Sequence, residues 1–299
     1  MAKVALGTVQ FGLDYGMTNN VGKPAVESIK EVLEFAQREN ITLLDTAYAY
    51  GSAENVLGHL LPGNDSWARI ATKLPPLLET SDDTDLASKA RVAFHTSLDR
   101  LQRTKVASLM VHRSSDLLSP QGEHVWALMN ELKDDGKVGL IGASVYSPQE
   151  AEALLSKYPI EVIQLPANLY DGRFDKSGML NQLKAAGVEV HVRSLYLQGI
   201  LLTPPNDLPP RFEKLKVQHE RLYRQFAKDG VLPATACLAA YLNHTDVDYI
   251  VIGCQNKWQI QRLVESVSAA ESIGMDTSKA LRCNFTIDDA AIINPALWN

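Results

Sequence analysis

Short runs of β-favouring apolar residues recur along this chain, and the segments between them carry apolar residues at the three- to four-residue spacing of a helix. The runs fall at residues 4–7, 42–45, 68–73, 106–111, 138–144, 162–165, 189–194 and 249–252. The intervening periodicity predicts helices at 26–39, 53–61, 86–101, 122–135, 148–157 and 178–186, a long helical region over 212–242, and a last helix at 258–270. Strands that alternate with helices pair in parallel, because each crossover helix returns the chain to the same end of the sheet. Eight such units predict an α/β fold of the (β/α)8 TIM-barrel type, one domain over 1–299. A loop at 199–212 and a tail at 272–299 fall outside the repeats.

The competing α/β architecture, a doubly wound sheet, would carry G-x-G-x-x-G after an early strand. The first strand instead runs into Gly7-Thr8-Val9-Gln10-Phe11-Gly12, and the glycines around Gly139 enter a strand at the wrong spacing. Ser147-Pro148-Gln149-Glu150 has the form of a helix start, with a capping hydroxyl before a proline. The Pro-rich segment from Thr203 to Pro210 reads as a stiff loop on the face where barrel active sites lie, either a lid or a plain insertion. Phe285, Ile287 and Trp298 are expected to anchor the tail by packing.

Composition narrows the function. With 45% hydrophobic residues the chain buries a substantial core, and a net charge of −6 argues against binding the nucleic-acid backbone, which needs clustered Lys and Arg. Three cysteines, Cys237, Cys254 and Cys283, show no zinc or redox spacing and suit a reducing compartment. No stretch has the length of a signal h-region or a membrane span, so the expectation is a soluble, cytoplasmic protein with no membrane partner.

Catalytic groups of a barrel come from the C-terminal ends of its strands. Asp45 closes the second run, Tyr50 lies just after it, Lys73 closes the third, and His112 follows the fourth. Each alone reads as a loop or barrel-mouth residue. Together they describe a proton donor: an ammonium at Lys73 lowers the phenol pKa of Tyr50, Asp45 holds Lys73 by an ion pair, and His112 hydrogen-bonds the same substrate oxygen.

These residues sit in an ordered set that resembles the aldo-keto reductase family. Leu6-Gly7-Thr8 is similar to its first strand, and Asp45-Thr46-Ala47-Tyr48-Ala49-Tyr50-Gly51 with Glu54 is similar to its D-T-A-x-x-Y-G-x-s-E motif. Thr72-Lys73, Ser97-Leu98-Asp99-Arg100-Leu101, His112-Arg113, the segment from Gly136 to Ser144, and Gln164 with Asn168 continue the resemblance over nearly the whole chain. It implies a metal-free reductase that takes a small-molecule aldehyde or ketone and a nicotinamide cofactor. Tyr50 would be the general acid, with Asp45, Lys73 and His112 its partners, and Ser144 and Gln164 would anchor the carboxamide. Gly7, Thr8, Asp45, Arg193, Ser194, Gly253 and Gln255 would line the rest of the cofactor path.

The chain departs from the family at three functional positions: Val145 stands for Asn, Gln259 for an Arg that holds the NADP 2′-phosphate, and Leu263 for an Asn at the adenine. Lys257 and Arg262 are the replacement cations, so NADPH is expected ahead of NADH, with NAD also accommodated. Asp14, Tyr15, Asn19 and Asn20 after the first strand, with Asn168, Tyr170 and Asp171 after the sixth, suggest a polar mouth and a sugar-like carbonyl. The alternative from another class is a nucleotide-sensing protein on the same fold acting through a partner. Oligomeric state stays open.

Overall fold

Every second residue of a strand faces one side, so a barrel strand has an inward and an outward set. The computed structural model describes all residues except 20, 64–66, 80–84 and 299. In it the eight runs are strands β1 (Lys3–Gly7), β2 (Leu43–Asp45), β3 (Arg69–Leu74), β4 (Val106–Val111), β5 (Val138–Ser144), β6 (Val162–Pro166), β7 (Glu189–Arg193) and β8 (Tyr249–Gly253). They close in sequence order into a parallel barrel, with Gly7 of β1 opposite both Asp45 and Gly253. Ala5, Leu43, Ala71, Met110, Val162 and Tyr249 form a separate apolar cluster, the plug of the barrel interior. One pleat beyond these stand Gly7, Asp45, Lys73, His112, Gln164 and Val251, so alternation lays a largely polar layer on an apolar one.

The outer helices include α1 (Val26–Arg38), α2 (Ala53–Leu60), α3 (Leu86–Leu101), α4 (Gly122–Asp134), α5 (Pro148–Lys157), α6 (Met179–Ala185), α7 (Lys216–Asp229), α8 (Pro233–Leu242), α9 (Lys257–Glu271) and α10 (Met275–Asn284). In α1 the stripe Ile29, Val32, Leu33 and Ala36 faces the core, the spacing that predicted it. Ser147 caps α5 by accepting from the Glu150 amide, as its sequence suggested. Most boundaries agree with the pattern within one or two residues. The helical region over 212–242 does not run through: Gly230 takes a left-handed conformation with φ of 64°, and Pro233 opens a new helix. Apolar spacing continues across this break because α7 and α8 both pack on the core, so periodicity alone could not show it.

The Pro-rich loop is short 3-10 turns rather than open coil. It is tied to the barrel by a buried relay. The His219 Nε2–H donates to the Thr203 carbonyl over 2.7 Å, which leaves Nδ1 as acceptor for the Tyr170 hydroxyl at 2.6 Å. Burial pushes the His219 pKa down, consistent with that neutral ring. The tail packs as expected: Trp298 meets the Phe212 ring at 4.9 Å, its indole N–H donates to the Ala291 carbonyl, and the Ile287 amide donates to Tyr170. Tyr170→Phe leaves the buried Nδ1 of His219 without a donor, a loss of about 1–3 kcal/mol, and Tm should fall by roughly 2–12 °C in a thermal melt. An unchanged Tm would show that the relay holds nothing.

Candidate active site

The short strand β2 ends in Asp45, whose backbone carbonyl accepts from both the amide and the hydroxyl of Thr8. The chain then turns across β3, with the Thr46 amide bonded to Ala71 and the Tyr48 amide to Lys73. The turn closes at Gly51, which is left-handed with φ of 57°; a Cβ there would lie 2.5 Å from the Gly12 carbonyl. This delivers Tyr50 to the mouth. From β3, Lys73 points inward and Thr72 outward.

Lys73 is only 1% exposed, and its ammonium donates to Asp45 Oδ1 at 2.7 Å and to the Thr46 carbonyl at 2.9 Å. Gln164 donates to the same Asp45 oxygen at 2.7 Å. Burial lowers the Lys73 pKa, and the Asp45 charge and hydrogen bond push back upward. The Lys73 ammonium lies 5.1 Å from the Tyr50 ring centroid, and the rings of Tyr50 and His112 meet edge to face at 5.8 Å. Outward-facing Thr72 donates to buried Glu54, which pairs with Arg100 at 3.5 Å, and Arg100 stacks on Tyr48. The motif residues around Tyr50 are thereby fastened to β3 from behind.

One electrostatic expectation is corrected. The Tyr50 phenol is held well above its ordinary pKa, by burial first and by the Asp45 carboxylate next. The Lys73 ammonium, paired with Asp45, does not outweigh burial and that carboxylate. His112 is pushed down to about 3 by burial and by Lys73, Arg193 and Arg113, so its imidazole is neutral, and its Nδ1 has no hydrogen-bond partner.

These groups face a cleft of about 670 Å3 at the C-terminal end of the barrel, within the ~300–1,000 Å3 usual for small-molecule sites. Asp45, Tyr50, His112, Ser144, Gln164 and Arg193 line its inner part. Gly7 and Thr8 lie on its wall, and Ser194, Gly253, Gln255, Gln259 and Arg262 continue it toward α9. Lys73 is buried and does not reach the cleft surface. Lys257 does not reach the cleft, and Arg262 pairs with Glu265 at 2.8 Å, so the two replacement cations are not equivalent. Gln259 accepts from the Gln255 amide, and Gln255 donates to Gly22, bridging the loop after β1 to the start of α9.

The polar mouth expected from the sixth strand is not there. Asn168, Tyr170 and Asp171 are buried: Asn168 accepts from the amides of the other two, and Asp171 binds Arg173. Asn20 lies outside the described residues. Sequence reading also missed lining residues Gln10, Tyr146 and Trp258, which follow strand ends in the chain but belong to no motif. Cys254 lines the cleft as an inert thiol, its pKa pushed up to about 12 by burial.

The dinucleotide expectation fits this cleft. Asp45 is its sole carboxylate among the described residues, in a chain with 35 acidic residues, and it is spent on Lys73 and Gln164. Gln10 Oε1 is buried there without a partner. The aldo/keto reductase family pattern matches residues 3–273. The chain belongs to the aldo/keto reductase family. It is thus an oxidoreductase of carbonyl compounds. A Bacillus subtilis relative, aldo-keto reductase YhdN, is 29% identical over 183 residues, spanning 59% of this chain and about half (53%) of its own length. Escherichia coli L-glyceraldehyde 3-phosphate reductase is 25% identical over 94% of this chain and 90% of its own. The holo form of aldo-keto reductase AKR11C1 from Bacillus halodurans shares the fold at a TM-score of 0.79 and 20% identity, covering 99% of this chain and 95% of that one.

His112 generates a pH dependence of stability. The unfolded chain takes up its proton below the ordinary value of 6.5, whereas the folded chain does so only near 3. Stability is therefore lost as pH falls through this window. Denaturant titrations at pH 7 and about pH 4.5 should show wild type losing on the order of 2 kcal/mol more than His112→Asn. Equal losses would place the ring in a solvated setting.

Proposed function

We propose that this aldo/keto reductase reduces an aldehyde or ketone with Tyr50 as proton donor. The observation that carries this reading is the placement of Tyr50 and His112 at the inner end of the cleft, above the buried Lys73–Asp45 pair. A nicotinamide bound along the cleft supplies the hydride. Tyr50 donates its phenolic proton to the carbonyl oxygen as charge develops there, and a raised pKa keeps that proton in place until then. His112, neutral, hydrogen-bonds the same oxygen and orients it. Once the proton has left, the phenolate lies beside the Lys73 ammonium, and the lysine stabilises that state rather than the resting phenol. Asp45 and Gln164 position Lys73, so the role of Gln164 extends beyond a carboxamide anchor.

The cofactor's phosphates would lie toward α9, where the helix start offers positive potential and Gln255, Gln259 and Arg262 line the cleft. Exposed Trp258, 66% accessible, stands there with Arg262 6.0 Å from its ring. NADPH is preferred over NADH in this reading, with Arg262 as the cation that meets the 2′-phosphate. A small hydroxylated carbonyl is the first substrate class, in keeping with the glyceraldehyde phosphate reduced by the E. coli relative. Three free cysteines support a cytoplasmic location.

Tyr50→Phe removes only the hydroxyl and should cut kcat by about 10²–10⁴-fold with nucleotide affinity nearly unchanged. Lys73→Met should slow turnover too and move the alkaline limb of the pH–rate profile upward. A fully active Tyr50→Phe enzyme would end the mechanism, and tight nucleotide binding without turnover of any carbonyl would favour the sensor alternative. Titrating both nucleotides against Trp fluorescence should give a preference for NADPH that falls roughly 3- to 10-fold in Arg262→Ala and stays in Lys257→Ala. The reverse ranking would place the 2′-phosphate on Lys257.

A further inference from the structure

Arg193 ends β7 one pleat above buried His191, half-buried and lining the cleft beside Tyr50 and His112. Its guanidinium lies 4.4 Å from the centroid of the Tyr146 ring. Two of its N–H groups reach neutral acceptors, the Ser194 hydroxyl and the Val145 carbonyl, each at a long 3.3 Å. No carboxylate pairs with it among the described residues. Arg113, which lies over the same Tyr146 ring, has Glu79 at 3.6 Å, and Arg100, Arg173 and Arg262 each have an acidic partner. A half-buried guanidinium with spare donors and no counter-charge is costly unless an anion completes it.

The rest of the cleft cannot supply that anion, since Asp45 is its sole carboxylate among the described residues and is held by Lys73. The direction of the side chain separates two candidate ligands. Arg193 leans past β6 onto Tyr146, which follows β5, and so turns away from β8 and the start of α9 where the cofactor's phosphates are placed. Its charge also acts on Tyr50, His112 and Tyr15, which puts it at the reacting end.

We propose that Arg193 is a substrate-recognition residue and that the carbonyl compound reduced here carries an anionic group, a carboxylate or a phosphate, which the Arg193 guanidinium binds beside Tyr146. The planar fork of N–H donors suits either group. This rests on the reductase reading above and takes Arg193 from the nucleotide, to which the family resemblance had given it.

The test compares charged and neutral carbonyls of like shape: 4-carboxybenzaldehyde against methyl 4-formylbenzoate, and glyceraldehyde 3-phosphate against glyceraldehyde. Wild type should favour the charged member of at least one pair, and the favoured pair identifies the anion. Arg193→Met should lower the charged-to-neutral ratio of kcat/KM in that pair by about 10- to 100-fold, mostly through KM, with partial recovery in Arg193→Lys. The KM of the charged substrate should rise with salt in wild type and much less in Arg193→Met. A ratio unchanged by the substitution overturns the proposal. So does an equal loss on both members accompanied by weaker NADPH binding, which returns Arg193 to the nucleotide. Wild type that turns over none of the four sinks the reductase reading itself, and this assignment with it.

Discussion

A lysine ammonium buried to 1% exposure is tolerable only if its protons are taken up by nearby acceptors, and much of the site follows from meeting that demand. Lys73 finds Asp45 and the Thr46 carbonyl, so β2 must end two residues before β3 reaches the lysine, and the register that pairs Asp45 with Ala71 does this. Gln164, across the barrel on β6, donates to the same carboxylate oxygen. Three strands that are distant in sequence are thus committed to one cluster of charges. Breaking such a pair by removing one partner costs about 3–5 kcal/mol, because the other charge is left buried alone. The loop carrying Tyr50 starts at the acceptor itself, so the geometry that satisfies the lysine also sets the phenol above it.

Beneath that cluster lies the apolar plug, and the two layers are consequences of one another. Each strand contributes an inward residue every second position, so apolar Ala71 and Met110 imply inward Lys73 and His112 one pleat on. The plug denies water to the underside of the polar layer. That desolvation is why His112 stays neutral and why the Tyr50 phenol keeps its proton. A site open to water on both sides would lose both properties.

Charge distribution separates the cleft from the rest of the molecule. The chain carries a net charge of −6, yet the cleft is lined by two arginines and one neutralised carboxylate. The arginines lie in different directions, one stacked on Tyr146 in the part of the cleft that holds Tyr50 and His112, and one near Trp258 on α9. A dinucleotide and the anionic carbonyl substrate proposed for Arg193 would together place negative charge at both ends.

The strands, the barrel and the meeting of Asp45, Tyr50, Lys73 and His112 at the barrel mouth were legible in the chain because they rest on local rules: period-two alternation, helical spacing, side chains at strand ends, and a motif packed into the few residues from Asp45 to Gly51. What the sequence by itself determined was therefore the fold class, the family, and which four side chains, Tyr50, Lys73, Asp45 and His112, are gathered at one end of the barrel. The tertiary structure decided quantities that depend on neighbours far along the chain. Whether the Lys73 ammonium brings the phenol below its ordinary pKa depends on the burial and the Asp45 charge set against it. Whether Asn168 and Asp171 form a polar mouth depends on backbone amides and Arg173 that claim them inside the protein. Lys257 and Arg262 sit on one helix and read alike in sequence, but a helix turns about 100° per residue, and one of them faces away from the cleft. Which acceptors a polar side chain meets, and on which side of a helix it stands, is settled by packing across the barrel, and no local pattern carries that information.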